Sequence, residues 1–224
     1  MRHLKDISST VISLSDMVDC IRENRPFPPK SVAITFDDGL KNFYDIAYPI
    51  LKENGFAATV FLVPEYCGKN NQWDGQPEGI PELDLLDWHE IMEMADNGID
   101  LGAHTMSHPN LLNIPFEQAV QEIVDSKSVI ERKLGNEVMF FAYPYGKLDR
   151  RVRRIVKNEF FGACSTELGF VNLNSDIYSL PRIDMYYFSQ NSLFKMNRTI
   201  FFRLYIAIRS ALRSFRIRTS SVYG

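Results

Sequence analysis

The chain has 224 residues, 45% of them hydrophobic, which suits one domain with a full core and excludes a disordered or fibrous polypeptide. Its formal charge of −3 says little about partners, among which no nucleic acid is expected, and three widely spaced cysteines argue against a disulfide framework and suit a reducing compartment. No apolar run has the length of a signal peptide or a membrane span, so a cytoplasmic location is expected.

In chain order, short apolar strands alternate with amphipathic helices. Strands are expected at 10–14, 32–36, 57–63, 99–104, 138–143, 160–165 and 177–183, and helices at 15–24, 41–54, 84–97, 115–134 and 147–158. Ser15 and Asp149 are candidate helix caps, and Gly55, Gly98 and Gly135 candidate stops. Doubly buried strands separated by helices indicate a parallel α/β architecture. About seven units without a G-x-G-x-x-G turn favour a barrel over a dinucleotide-binding sheet.

A barrel places its chemistry where strands end. Asp37 and Asp38 follow "VAITF", His104 follows "IDLGA", and Tyr143, Pro144 and Tyr145 follow "VMFFA". Taken alone, "FDDG" admits two readings. It is a turn, or it is a base beside a metal ligand, with the cation relieving the repulsion between adjacent carboxylates. His104 and His108 are either two unrelated loop residues or a pair of imidazole ligands. His3 and His89 lie in helical patterns and are expected at the surface. Two histidines and one aspartate make a three-ligand set with an open position, which suits a catalytic metal.

The segments "TFDDG" (35–39), "HTMSH" (104–108) and "YPYG" (143–146) resemble, in order and spacing, motifs of the polysaccharide deacetylase family. This is the NodB-homology or carbohydrate esterase 4 group, and "PPKSVAITFDDG" and "GAHTMSHPNL" are similar to its exopolysaccharide-biosynthesis branch. The resemblance implies a deformed (β/α)7-type barrel that removes acetyl groups from N-acetylhexosamine units of a glycan. It implies Asp37 as catalytic base and Asp38, His104 and His108 as ligands of one divalent metal, zinc first, with cobalt or nickel as alternatives. Tyr145 matches the residue whose backbone N–H binds the oxyanion.

Two departures accompany the match. "YSLPRIDM" has no histidine where the family commonly carries its general acid. "MRHLKD" resembles the helix that follows the branch's first, histidine-bearing strand, so that strand is absent, is encoded upstream, or is replaced by another proton donor. The alternative function is therefore a catalytically impaired domain that keeps the metal site and binds glycan or a partner. Ala142 replaces the arginine that pairs with the base, and Arg182 is either its substitute from the last strand or a surface residue. Trp88 is out of family order and is assigned to the barrel wall. Trp73, in the polar loop "KNNQWDGQPEG", either stacks on sugar or anchors the loop.

Residues 1–190 are expected to form the barrel and 191–224 a basic extension. After Asp184 there are seven cations and no acid. Residues 192–217 fit an amphipathic helix, with Lys195, Arg198, Arg209, Arg213 and Arg216 within roughly 60° and Phe201, Leu204, Ile208, Leu212 and Phe215 on an adjacent arc. The helix either covers the barrel or rests on anionic lipid.

Overall fold

The computed structural model describes residues 1–185 and 199–220. Strands β3 (Thr35–Phe36), β4 (Thr59–Leu62), β5 (Asp100–Ala103), β6 (Phe140–Ala142), β7 (Gly162–Leu168) and β8 (Leu180–Arg182) form one parallel sheet in sequential order. A separate parallel pair, β1 (Thr10–Val11) and β2 (Ser31–Val32), lies beside it. The expected α/β barrel is thus a curled six-strand sheet. The strand expected at 32–36 is two, because its first half pairs with β1 and its second half with β4.

The central strands are buried on both faces, and alternate side chains along them build two cores. Val60, Leu62, Leu101, Ala103 and Phe141 face the helical layer, which comprises α3 (Tyr48–Asn54), α4 (Trp88–Asp96), α5 (Phe116–Leu134) and α6 (Arg150–Glu159). The intervening Phe61, Phe140, Ala142 and Cys164 face inward. They meet Leu14 and Val18 of α2 (Leu14–Arg22), which closes that core.

Helix ends follow local chemistry more closely than sequence periodicity. The cap of α2 is Ser13 and not the expected Ser15, because Ser13 Oγ accepts the Asp16 N–H at 3.0 Å and the Asp16 carboxylate reaches back in a capping box. Helix α4 starts at Trp88, four residues later than expected. Asp87 caps it, and Leu85 and Leu86 stay extended, with the Leu86 N–H donating to the Gly39 carbonyl at 2.8 Å. The helix expected at 41–54 opens as a π-turn, Phe43–Ala47. Pro49 lacks an N–H and crowds the preceding turn, which favours that wider winding.

Asp149 caps α6 as expected, accepting the Arg151 and Val152 N–H groups at 2.8 Å each. The helix begins with a run of arginines at its positive end, so the capping carboxylate also offsets their charge. Asp149→Ala should lower unfolding stability by about 1 kcal/mol, read as a shift in the urea midpoint with the slope unchanged.

A cavity of about 970 Å³ runs along the open seam of the barrel between Val32–Thr35 and Leu180–Ile183. Helix α1 (Arg2–Asp6) borders this seam. His3, expected at the surface, is half-buried there, while His89 is exposed as expected.

The predicted tail helix falls partly outside the described residues, at 192–198. Its remainder is α7 (Ile200–Ser220), which docks Phe202 and Ile206 against Leu168 at the end of β7. The expected apolar arc is not the docking face, since Phe201, Leu204, Ile208 and Leu212 are exposed.

A candidate metal centre at the barrel mouth

Three strand ends deliver the site. β3 runs into Asp37 and Asp38, β5 into His104, and β6 into Tyr143–Tyr145. The turn after β3 holds Asp38 at φ 71° and Gly39 at φ 69°, two successive left-handed residues that swing the second carboxylate back over the barrel. Among the described residues seven non-glycines have positive φ, and Asp38, Thr105, His108 and Tyr145 are four of them. Each such residue costs about 1 kcal/mol or more, so backbone strain concentrates where these side chains converge.

Asp38 Oδ1 lies 3.4 Å from His104 Nε2 and 3.5 Å from His108 Nε2. The donor atoms of all three residues lie within 4.8 Å of one another. Ligands at about 2.0–2.2 Å from one tetrahedral ion stand about 3.3–3.6 Å apart, so the separations from Asp38 fit a single divalent cation.

The groups behind the two imidazoles support the same fit. His104 Nδ1 lies 2.7 Å from the Ala142 carbonyl, which makes Nδ1 the protonated nitrogen and turns the Nε2 lone pair toward Asp38. The buried Nδ1 of His108 meets no hydrogen-bond partner among the described residues. Its ring is held instead by Trp73, at 4.2 Å and 36°, and by the edge of Tyr145, at 4.8 Å.

Burial pushes both imidazoles toward the neutral form. On His104 the Asp38 and Asp37 carboxylates outweigh it and raise the pKa, while His108, with His104 beside it, falls to about 3. A neutral His108 is ready to ligate. The charge that the carboxylates draw onto His104 is one that a bound cation would supply.

Asp37 stands apart from this trio. Both its oxygens accept from Arg182, Nη1 to Oδ1 and Nη2 to Oδ2 at 2.7 Å each. Arg182 in turn donates through Nε to the Ser165 carbonyl at 2.9 Å and through Nη1 to Thr35 Oγ1 at 3.2 Å. Burial pushes the Asp37 carboxyl up, but the Arg182 charge and its two hydrogen bonds prevail and hold it below the ordinary carboxylate range. The two sequence readings of Arg182 are thereby separated: it reaches across the seam to Asp37. Ala142, buried at the end of β6, offers Asp37 no charge, and the guanidinium beside it comes from β8.

Two supporting residues, Glu122 and Thr105, escaped sequence reasoning. Glu122 of α5, buried, accepts the Met106 and Ser107 N–H groups at 2.8 and 2.9 Å and the Ser107 hydroxyl at 2.7 Å. It ties down the loop between the two histidines, and Thr105 Oγ1 adds a bond from the His108 N–H at 3.0 Å. The available signal was an acid on the apolar stripe that also carries Ala119, Ile123, Ser126 and Ile130. Trp73 was noticed, but its sugar-stacking alternative is corrected: the ring is 4% exposed, packed with Val63 and Leu85. It anchors the loop and backs His108.

Trp73→Ala should weaken divalent-metal affinity by about 10–100-fold, whereas Trp73→Phe should retain most of it. A competition titration with a chromophoric chelator measures both. Equal affinities for all three proteins would show that the indole does not hold the ligand.

A curled parallel α/β sheet that gathers an Asp-His-His group able to hold a metal ion, with a separate carboxylate beside it at the strand ends, is the arrangement in which a metal-assisted hydrolase would carry its chemistry. The polysaccharide deacetylase family model matches residues 24–159, and the chain belongs to that family. It is 27% identical over 190 residues to the poly-beta-1,6-N-acetyl-D-glucosamine N-deacetylase of Staphylococcus epidermidis, covering 80% of this chain and 63% of that protein. The chain spans about three fifths of the length of the curated relatives it matches. Among solved structures it is similar to the Streptococcus pyogenes deacetylase PplD in complex with acetate, with a TM-score of 0.71 and 25% identity over 81% of this chain and 76% of that one. IcaB from Ammonifex degensii shares the fold, with a TM-score of 0.69 and 22% identity over 81% and 79% of the two chains.

Proposed function

We propose that the protein hydrolyses the N-acetyl amide of N-acetylhexosamine units in an exopolysaccharide-type glycan, using one divalent cation, zinc in the first place, held by Asp38, His104 and His108. The observation that carries this reading is the convergence of those three residues at ligand separations beside a carboxylate kept ionised by Arg182. The family and the relative named as an N-deacetylase support it.

When bound, the cation supplies Lewis-acid polarisation of the acetyl carbonyl and a lowered pKa for water. The protein's own residues supply the rest. Asp37 accepts the proton of the attacking water, and its side chain, about 30% exposed, is reachable from solvent. Arg182 fixes both Asp37 oxygens, so the base cannot swing onto the metal ligands. The backbone N–H of Tyr145, at φ 57° on the turn after β6, is assigned to the developing oxyanion, an interaction that elsewhere is valued at about 3 kcal/mol per donor.

The departing amine takes up a proton. Among the described residues no histidine besides the two ligands stands at a strand's C-terminal end, so Asp37 is assigned this second transfer as well. A carboxyl held below its ordinary pKa is a strong acid once protonated and returns its proton readily.

The test is acetate release from oligomers of β-1,6-linked N-acetylglucosamine and from chito-oligosaccharides. Activity is expected with added Zn²⁺ or Co²⁺, disappearing on chelation and returning with metal. Metal binding without acetate release on any of these substrates would instead favour a glycan- or partner-binding domain.

A further inference from the structure

Helix α7 has two apolar faces, and the protein uses one. Phe202 and Ile206 are buried against Leu168, with Ile183 and Tyr205 packed around them, and Phe170 meets the Phe202 ring edge-on. On the same helix Ile200, Phe201, Leu204, Ile208 and Leu212 are each more than half exposed, Phe201 at 69% and Leu212 at 61%. At 3.6 residues per turn Phe201, Leu204, Ile208 and Leu212 share an arc of about 80°, roughly 140° round the axis from the docking pair. A continuous stripe of large side chains over three turns is not ordinary surface composition, where apolar residues scatter singly.

Charge selects the occupant. No acidic residue follows Asp184, while seven lysines and arginines do. By position on the wheel, Arg216 falls about 40° beyond one edge of the stripe and Arg218 about 40° beyond the other, with Arg209 further round toward the docked face. Cations flanking an apolar stripe suit a surface of anionic headgroups over acyl chains, since long basic side chains reach outward while the stripe inserts. A second copy of this chain would bring the same cations against each other. No helix of the described residues is long and apolar enough to cross a membrane, so the helix would lie in the surface.

We infer that α7 docks the protein peripherally on an anionic lipid surface through Phe201, Leu204, Ile208 and Leu212. The helix is pinned to Leu168 and Ile183, at the C-terminal ends of β7 and β8, the same end of the sheet that carries Asp37, Asp38 and His104. Docking would therefore bring the mouth of the barrel to the lipid face and favour glycan emerging there over free oligomers.

The experiment is co-sedimentation of the full chain with vesicles of phosphatidylcholine and phosphatidylglycerol, 7:3, against phosphatidylcholine alone. The expected result is about tenfold or greater preference for the anionic vesicles, reduced by salt and lost in Leu204→Glu/Ile208→Glu. That variant changes only exposed positions on the undocked face of α7, none of them a ligand or a partner of Asp37, so acetate release from soluble oligomers should stay at the parent level. This separates failure of docking from failure of the deacetylase assignment. Three results would overturn the inference: no sedimentation with anionic vesicles at low salt, equal sedimentation of parent and variant, or a concentration-dependent dimer by light scattering that the variant abolishes.

Discussion

Asp37→Asn should lower deacetylation turnover by about 10³-fold while leaving the bound metal in place. The amide is nearly isosteric and still accepts one hydrogen bond from Arg182, but it cannot take a proton from water. The ligands Asp38, His104 and His108 are separate side chains, so metal content should match the parent. Replacing the carboxylate also leaves the Arg182 charge, only 19% exposed, without its counter-ion, and some stability is lost with it. Turnover compared at a temperature where both proteins are folded, together with metal content by atomic emission, separates the chemical loss from the structural one. Turnover within a few-fold of the parent would remove Asp37 from the role of base.

Arg182→Ala should lower kcat by about 10²-fold with metal content retained, because the arginine acts through Asp37 and not through the ligands. Its loss has a second consequence with a definite sign. Burial alone pushes the Asp37 carboxyl up, and Arg182 is the principal opposing influence, so removing it raises that pKa. The acid limb of the rate–pH profile should then move to higher pH. Arg182→Lys should recover part of the shift, since it restores charge without the two-pronged geometry. A residue that merely braced β8 through Ser165 and Thr35 would lower stability without moving the acid limb, so an unmoved limb would contradict the assignment.

Much of this site was legible because its signals are local. An apolar β-branched run that ends in "DDG" announces a strand meeting a turn, and the His104–His108 spacing sits just past another strand. Arg182 was readable as a partner for Asp37 only by its position at the end of the last strand; the contact spans 145 residues of sequence. What stayed hidden depends on such remote contacts. Leu85 and Leu86 look helical by periodicity, yet the hydrogen bond from Leu86 to Gly39 draws them into extended conformation beneath the aspartate turn. Trp73 sits in a polar loop, and nothing nearby in sequence reveals that it closes against His108. Four residues of the tail's expected apolar arc, Phe201, Leu204, Ile208 and Leu212, are exposed, and Phe202 and Ile206 from another face of the helix do the docking.

Zinc titrated calorimetrically into chelator-treated protein tests the shared-cation site most directly. One ion should bind per chain, and each of Asp38→Ala, His104→Ala and His108→Ala should abolish that binding while the fold, read by circular dichroism, persists. Undiminished zinc binding in all three variants, or none in the parent, would contradict a site made by these residues.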